Sequence, residues 1–138
     1  MDDKLQDIAS RHGVGSLYAF GSRAKEIEAR LHGQEVPAAS DSDVDIGVQP
    51  LTGHRLTAQE RVRLAMELED LLNVKQVDLI VLPEADPFLA LDVIRGELLY
   101  CRDADEQAED ELYFLRRAAD LAYYARDRWK HLLSGTAP

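Results

Sequence analysis

Two aspartates two positions apart, Asp43 and Asp45, stand in a short run rich in β-branched residues that predicts a strand over 44–49. Side chains two apart on a strand point to the same face, so we expect the two carboxylates side by side. Like charges at that spacing repel each other unless a cation lies between them, and a hard divalent ion such as Mg²⁺ prefers oxygen ligands. The pair is therefore a candidate metal site, and the alternative is that both aspartates only line a solvated strand face.

A third carboxylate, Asp78, stands in the otherwise apolar segment 76–82, which predicts a further strand. An unpaired carboxylate is costly to bury, so we expect Asp78 to have a partner or a metal ion. If this strand is the neighbour of the one that carries Asp43 and Asp45, the three carboxylates converge.

A possible anion site precedes the acidic strand, at Gly21, Ser22 and Arg23. These residues follow the apolar run 17–20, which predicts a buried strand, and a helix is predicted to begin near Arg23. Backbone N–H groups at the start of a helix bind anions, and the helix dipole favours negative charge there. Gly21 would allow a phosphate to approach the backbone, Ser22 could donate from its hydroxyl, and Arg23 could add a cation.

The three features together are the parts that nucleotidyl transfer requires. Two Mg²⁺ ions would clamp the attacking oxygen and the leaving pyrophosphate, and the Gly-Ser turn would hold the β and γ phosphates. Acidic side chains that serve metal ions do not repel the nucleotide, so a negative net charge is compatible with a nucleotide substrate.

The hydrophobic periodicity and the turn signals predict an α/β domain with one sheet. The expected helices and strands alternate as helix 3–11, strand 17–20, a helix from about 23 to 31, a loop over 32–42, strand 44–49, helix 57–72, strand 76–82, helix 87–95, strand 98–101 and a long helix over about 103–133. We expect one domain over residues 1–138, with its core over about 1–101. The 57–72 helix is predicted to present Val62, Ala65, Met66, Leu68 and Leu72 to the core, and the long helix to present Leu112, Leu115, Ala119, Ala122 and Trp129.

The charge distribution narrows the range of partners. The 138 residues carry 16 basic and 26 acidic side chains, a net charge of -10, which disfavours DNA or RNA polymers because their binding relies on Lys and Arg. The acidic excess is concentrated in residues 83–111, which hold ten acidic and two basic side chains. That block is interpreted as a solvated acidic face or, alternatively, as a contact surface for a basic partner.

The cell compartment is predicted from what the sequence lacks. The start of the chain does not have the pattern of a signal peptide, and no apolar run reaches the ~18 residues that a membrane span needs. The one cysteine, Cys101, cannot form an internal disulfide, which suits a reducing compartment. We therefore expect a cytoplasmic protein without a membrane partner.

The order of these motifs resembles the minimal nucleotidyltransferases (MNT proteins) of the DNA polymerase beta superfamily. The resemblance lies in Gly21-Ser22, in Ser42-Asp43-Val44-Asp45-Ile46-Gly47-Val48 and in Val77-Asp78-Leu79-Ile80-Val81-Leu82, and it continues through the 87–100 region. It implies a polymerase-beta-type α/β (α+β) core, with a small mixed sheet flanked by helices and a long C-terminal helix. The segment Lys25 to Ala39 is longer than is usual in small members, so the nucleotide entrance is expected to differ in local shape.

The resemblance also implies roles for individual residues. Asp43, Asp45 and Asp78 would be the catalytic residues and the ligands of Mg²⁺, with two ions expected. Gly21, Ser22, Arg23 and Ser42 would bind the nucleotide, with ATP as the substrate.

Small members of the family that end in such a long helix are similar to antitoxins paired with HEPN-domain ribonuclease toxins. The resemblance then implies transfer of AMP from ATP to a tyrosine of a HEPN-type toxin. A homo-oligomer and a hetero-oligomer both stay open. Two alternatives stay open: a catalytically silent module that neutralises its partner by occlusion, and a nucleotidyltransferase with a small-molecule acceptor.

Overall fold

The structure is a computed structural model that describes residues 2–34 and 42–134. The elements in chain order are α1 (Asp2–Arg11), β1 (Val14–Phe20), α2 (Ala24–Leu31), β2 (Val44–Pro50), α3 (Ala58–Leu72), β3 (Val77–Val81), a 3₁₀ turn (Leu82–Glu84), α4 (Pro87–Ile94), β4 (Glu97–Cys101) and α5 (Ala104–Ser134). The loop predicted over 32–42 lies for the most part outside the described residues.

The four strands form one mixed sheet in the order β3-β2-β1-β4. Strand β1 runs antiparallel to both β2 and β4, whereas β2 and β3 run parallel. The parallel pair requires a crossover connection, which α3 supplies. The predicted α+β fold with a small mixed sheet and a long C-terminal helix is confirmed.

The two faces of the sheet pack against different helices. One face carries alternate strand residues such as Leu17, Ile46 and Val81 into a core shared with α1, α2 and α3. On the opposite face, Tyr18 packs with residues of α4 and α5, among them Phe114. Strand side chains alternate between the two faces. A strand residue directly before or after one that packs against α1, α2 and α3 therefore faces α4 and α5.

Side-chain caps mark the starts of α3 and α4. Thr57 Oγ1 accepts the N–H of Glu60 at 3.1 Å, and Asp86 accepts the N–H groups of Phe88 and Leu89 at 3.0 Å each. Side chains of this kind satisfy N–H groups that have no partner within the helix, and so fix where it begins.

Strand β1 begins at Val14, three residues before the predicted start at Leu17. The sequence Val14-Gly15-Ser16 contains a glycine that suggests a turn, but Val14 is fully buried and Ser16 pairs with both Gln49 and Cys101. Packing between two neighbouring strands therefore overrides the local turn preference.

The predicted apolar side of α3 was wrong in part. Leu64, Leu68 and Leu72 are the buried residues of the helix, whereas Val62 and Met66 are 59% and 58% exposed. Successive residues turn by about 100° around a helix, so Val62 and Met66 lie roughly opposite the stripe formed by the three leucines.

The predicted contact side of α5 was also wrong in part. Phe114 and Ala118 are buried against the fold, whereas Leu112, Leu115 and Trp129 are 46%, 44% and 62% exposed. Tyr18 holds the helix from the sheet side, since its hydroxyl donates to Glu111 at 3.2 Å and accepts from Gln107 at 2.9 Å.

Among the described residues, no helix has the length and apolar character that crossing a bilayer requires.

Candidate functional site

The parallel pairing of β2 and β3 places Asp45 directly opposite Asp78. On its other side, Asp45 is paired with Phe20, the last residue of β1. The neighbours of both aspartates in sequence, among them Val44, Ile46 and Val77, pack into the core on the α1, α2 and α3 side. Both carboxylates therefore lie on the opposite face of the sheet, as the alternation of strand side chains requires.

The third predicted carboxylate, Asp43, lies one residue before β2, on an exposed turn into the strand. Its charge reaches Asp45, since both Asp43 and Asp78 raise the pKa of Asp45. The first cause of that raised pKa is burial, and the two neighbouring carboxylates add to it. The three predicted acids are thus brought together around Asp45.

Asp78 is exposed, although its apolar surroundings in sequence led us to expect a buried carboxylate. Strand β3 is at the edge of the sheet, so the face that carries Asp78 is open to solvent there. An exposed carboxylate does not need a partner as a buried one would, and it is the pairing of β3 with β2, opposite Asp45, that places Asp78 at the site.

The Gly-Ser turn lies against the central carboxylate. Gly21 has φ of +78°, and a Cβ built on it would be 2.5 Å from Asp45 Oδ2. Only glycine adopts this backbone conformation without strain, and only a residue without a side chain leaves the space that the carboxylate occupies. Ser22, the next residue, is exposed, and α2 begins two residues later.

Arg23 lies beside this turn, but its side chain is only 7% exposed. Its guanidinium donates to both carboxylate oxygens of Glu26, at 3.2 and 2.7 Å, and to the backbone carbonyl of Ser42 at 2.7 Å. Ser42 itself is exposed and directly precedes Asp43. The predicted site residues therefore lie together, with Arg23 directed toward the protein and Ser22 toward solvent.

Two residues of this region were missed by the sequence reasoning. Glu26 is buried between Arg23 and Arg30, whose Nη2 lies 3.1 Å from Glu26 Oε2. Arg30 also donates to the carbonyl of Leu72 at the end of α3. The spacing Arg23, Glu26, Arg30 along a helix places the three on one face, and this i,i+3 and i,i+4 pattern was the available signal.

Gly47 allows a helix to lie directly on the site strand. A Cβ on Gly47, two residues after Asp45, would collide with Val93 of α4. Side chains two apart on β2 share a face, so α4 covers the sheet immediately beside Asp45. This helix closes one side of the site and leaves the side toward Asp78 open.

The donor set fits a hard divalent cation by its chemistry. It consists of carboxylate oxygens, which Mg²⁺ prefers, and a cation would offset both the burial and the mutual repulsion that raise the pKa of Asp45. Within residues 2–34 and 42–134, no group of three His, Cys, Asp or Glu side chains is already drawn in to metal-binding distance. Binding a cation would therefore require the carboxylates to turn toward one another.

A separate cleft of about 670 Å³ lies between α1 and α3, lined by residues such as Lys4, Ile8 and Glu67. It contains none of the predicted site residues and lies on the helices that cover the other face of the sheet.

Residues 3–105 match the family described as polymerase beta, nucleotidyltransferase. This match spans well over half of the chain and includes all of the predicted site residues. The chain belongs to the polymerase beta nucleotidyltransferase family.

Solved structures share the fold over nearly the whole chain. A mutant of the toxin–antitoxin MntA–HpeT, in which two aspartates two positions apart are changed to glutamate, is 21% identical with a TM-score of 0.65, and 99% of each chain is covered. A toxin–antitoxin structure with AMP-PNP is 22% identical with a TM-score of 0.60 over 99% of this chain and 98% of that one. The tri-AMPylated Shewanella oneidensis HEPN toxin in complex with MNT antitoxin gives 21% identity and a TM-score of 0.59, over 99% of this chain and 96% of that one. A search of curated proteins found no match.

Proposed function

We propose that this chain is an adenylyltransferase that transfers AMP from ATP to a tyrosine hydroxyl of a HEPN-type toxin and thereby acts as its antitoxin. The observation that carries the proposal is the contact between the Gly21 turn and Asp45, with Asp78 paired opposite. An anion-binding turn and a carboxylate cluster in direct contact are what nucleotidyl transfer needs, and the family membership of residues 3–105 supports this chemistry.

Each residue has a part in the proposed reaction. The exposed Ser22 hydroxyl and the N–H groups at the start of α2 would bind the β and γ phosphates of ATP. Asp43, Asp45 and Asp78 would hold Mg²⁺, which when bound supplies the positive charge that the triphosphate and the leaving pyrophosphate require. Ser42, next to Asp43, would line the nucleotide entrance.

The transfer itself forms one bond and breaks another. The tyrosine oxygen forms a bond to the α-phosphorus of ATP, the bond from that phosphorus to the bridging oxygen breaks, and pyrophosphate leaves. Asp78 is exposed and lies on the open side of the site, so its part is either that of a Mg²⁺ ligand or that of the general base that accepts the proton of the incoming hydroxyl.

The known structures of the fold support a protein acceptor. Several that are similar over 99% of this chain are toxin–antitoxin structures, one of them with an AMPylated HEPN toxin. In one of them the mutated aspartates have the same spacing as Asp43 and Asp45.

Helix α5 offers a surface for such a partner. The face that buries Phe114 and Ala118 continues at three- and four-residue spacing through Leu121, Ala125, Trp129 and Leu132, and the large residues Leu121, Trp129 and Leu132 are 40%, 62% and 59% exposed. An apolar stripe of this kind is typical of an interaction surface. Residues 112–138 carry five basic and two acidic side chains, so an acidic partner surface would complement it.

The proposal is tested by incubating the protein with Mg²⁺, labelled ATP and a HEPN-type toxin encoded beside it. We expect label on a tyrosine of the toxin and a rise in the melting temperature with Mg²⁺ and ATP together. The variant Asp43→Asn/Asp45→Asn should lose both effects, because its neutral amides bind a cation poorly. The exposed Asp70→Asn in α3 is the matched control and should keep both.

The outcome also separates transfer from occlusion. A toxin that is inhibited without label, equally by wild type and by Asp43→Asn/Asp45→Asn, would contradict the transfer reaction and favour the silent binding module.

Asp45→Asn alone should raise the melting temperature of the nucleotide-free protein by a few degrees. The neutral side chain avoids both the cost of burying a charge and the repulsion from the neighbouring carboxylates.

A further inference from the structure

The guanidinium of Arg23 connects the Gly-Ser turn to the strand that carries the aspartates. Arg23 precedes α2 directly, so its backbone belongs to the turn, whereas its Nη1 donates to the carbonyl of Ser42, one residue before Asp43. The two segments are 19 positions apart in sequence, and this 2.7 Å hydrogen bond joins them beside the site.

The orientation of this guanidinium is fixed by Glu26. Two parallel N–H donors of Arg23 meet both oxygens of that carboxylate, which is the geometry that a planar guanidinium and a carboxylate share. Arg30 approaches the same carboxylate from one helical turn further and also donates to the carbonyl of Leu72. The guanidinium of Arg23 is therefore held against α2, and α2 is held against the end of α3.

We propose that Arg23 is a positioning residue, which sets the distance between the phosphate-binding turn and Asp43 rather than binding a phosphate itself. This inference rests on the proposed function for its catalytic meaning. Its structural content is independent of that function. Nε and Nη2 of Arg23 donate to the Glu26 carboxylate, Nη1 donates to the Ser42 carbonyl, and the side chain is 7% exposed.

Arg23→Lys is the informative substitution, because a lysine keeps the charge but a single ammonium cannot bond both carboxylate oxygens and the carbonyl in the same arrangement. Arg30→Lys is the matched control, since it perturbs the same buried carboxylate without a bond to Ser42. Comparing the two separates the link to Ser42 from the general stability of the network.

The first measurement is the amide spectrum of the nucleotide-free protein. Arg23→Lys should shift the N–H resonances of Gly21, Ser22 and Asp43 together, whereas Arg30→Lys should leave these three near their wild-type positions. Unchanged resonances of Gly21 and Asp43 in Arg23→Lys would overturn the inference, and this result does not depend on whether the protein transfers AMP.

The second measurement is the kinetics of AMP transfer. Misplacement of the phosphates relative to the metal ligands should lower kcat about 10- to 100-fold and raise KM for ATP less than about 3-fold. A large rise of KM with unchanged kcat would identify Arg23 as a phosphate ligand and overturn the inference. If wild type transfers no AMP, the proposed function fails, and the amide spectrum alone decides the positioning role.

Discussion

At the scale of single residues, the site depends on a glycine at position 21. Gly21 has no Cβ, and the space that a Cβ would fill is taken by the carboxylate of Asp45. The left-handed φ of +78° is a second reason for glycine at this position. The two reasons can be separated, because Gly33 has a similar φ of +82° and no atom of residues 2–34 or 42–134 lies within 4 Å of its would-be Cβ.

We predict that Gly21→Ala and Gly33→Ala differ by the contact with Asp45. Both should lose about 1–2 kcal/mol of unfolding free energy in urea, the cost of a left-handed alanine. Gly21→Ala should lose more, and it alone should lose the melting-temperature rise with Mg²⁺ and ATP, because its methyl group displaces the carboxylate. Equal effects of the two substitutions on nucleotide binding would contradict the role of this contact.

Residue patterns predicted this part of the molecule well, because the physical constraint there is local. The alternation around Asp43 and Asp45 is enough to assign the strand and its faces, and the parallel neighbour of that strand does carry Asp78. The use of Arg23 could be predicted only in part: its spacing to Glu26 is a local i,i+3 pattern, whereas the Ser42 carbonyl becomes its neighbour only in the folded chain.

At the scale of elements, α1 is tied to α3 by charged side chains. Glu67 of α3 accepts a hydrogen bond from Arg11 at 2.8 Å and pairs with His12, which follows α1. The hydrogen bond with His12 is the first cause of the lowered pKa of Glu67, and the one with Arg11 is the second. A carboxyl group with a lowered pKa stabilises the fold when it is ionised.

We predict that this contact is lost in acid. The stabilisation is fully present above the usual pKa of a glutamate and disappears as the pH falls through the lowered pKa of Glu67. Glu67→Gln should cost below about 1 kcal/mol at neutral pH, since the pair is partly exposed. Urea unfolding between pH 7 and pH 3 should show the difference from wild type shrinking as the pH falls; Asp70→Asn serves as the control, and a constant difference would contradict the assignment.

The elements that were assigned to the wrong face share one physical cause. Helix α3 carries apolar residues on two sides, and only the packed structure shows that Leu64, Leu68 and Leu72 face the sheet while Val62 and Met66 do not. Periodicity identifies a helix, but when apolar residues surround it, the contact face is decided by which neighbours it meets.

At the scale of the whole molecule, α5 extends well past the body that it packs on. Its 31 residues make a helix of about 46 Å, and burial is confined to its first half, at Phe114 and Ala118. Helices are rarely stable in isolation, so the distal half is expected to gain order from a partner.

We predict that the two halves of α5 respond differently to truncation of side chains. Phe114→Ala should cost about 3–5 kcal/mol of unfolding free energy, because it leaves a cavity in the core of the second sheet face. Trp129→Ala/Leu132→Ala should change stability by less than about 0.5 kcal/mol, as expected of exposed positions.

The same double variant should weaken binding to the HEPN-type toxin about 10- to 100-fold in a calorimetric titration. Arg55→Ala, an exposed position on a different part of the surface, is the control and should bind as wild type does. Wild-type affinity of Trp129→Ala/Leu132→Ala would exclude the distal half of α5 from the interface.

The order of the strands has a consequence for how the protein is made. Strand β2 pairs in parallel with β3, and β1 gains its second neighbour only when β4 adds to it, so the sheet is assembled from segments far apart in sequence. A nascent chain that has reached Leu72 contains the Gly-Ser turn, Asp43 and Asp45, but not the strand that aligns Asp78 with them. A chain whose translation stops before β3 therefore lacks part of the site, so the activity proposed here requires synthesis to continue past Asp78.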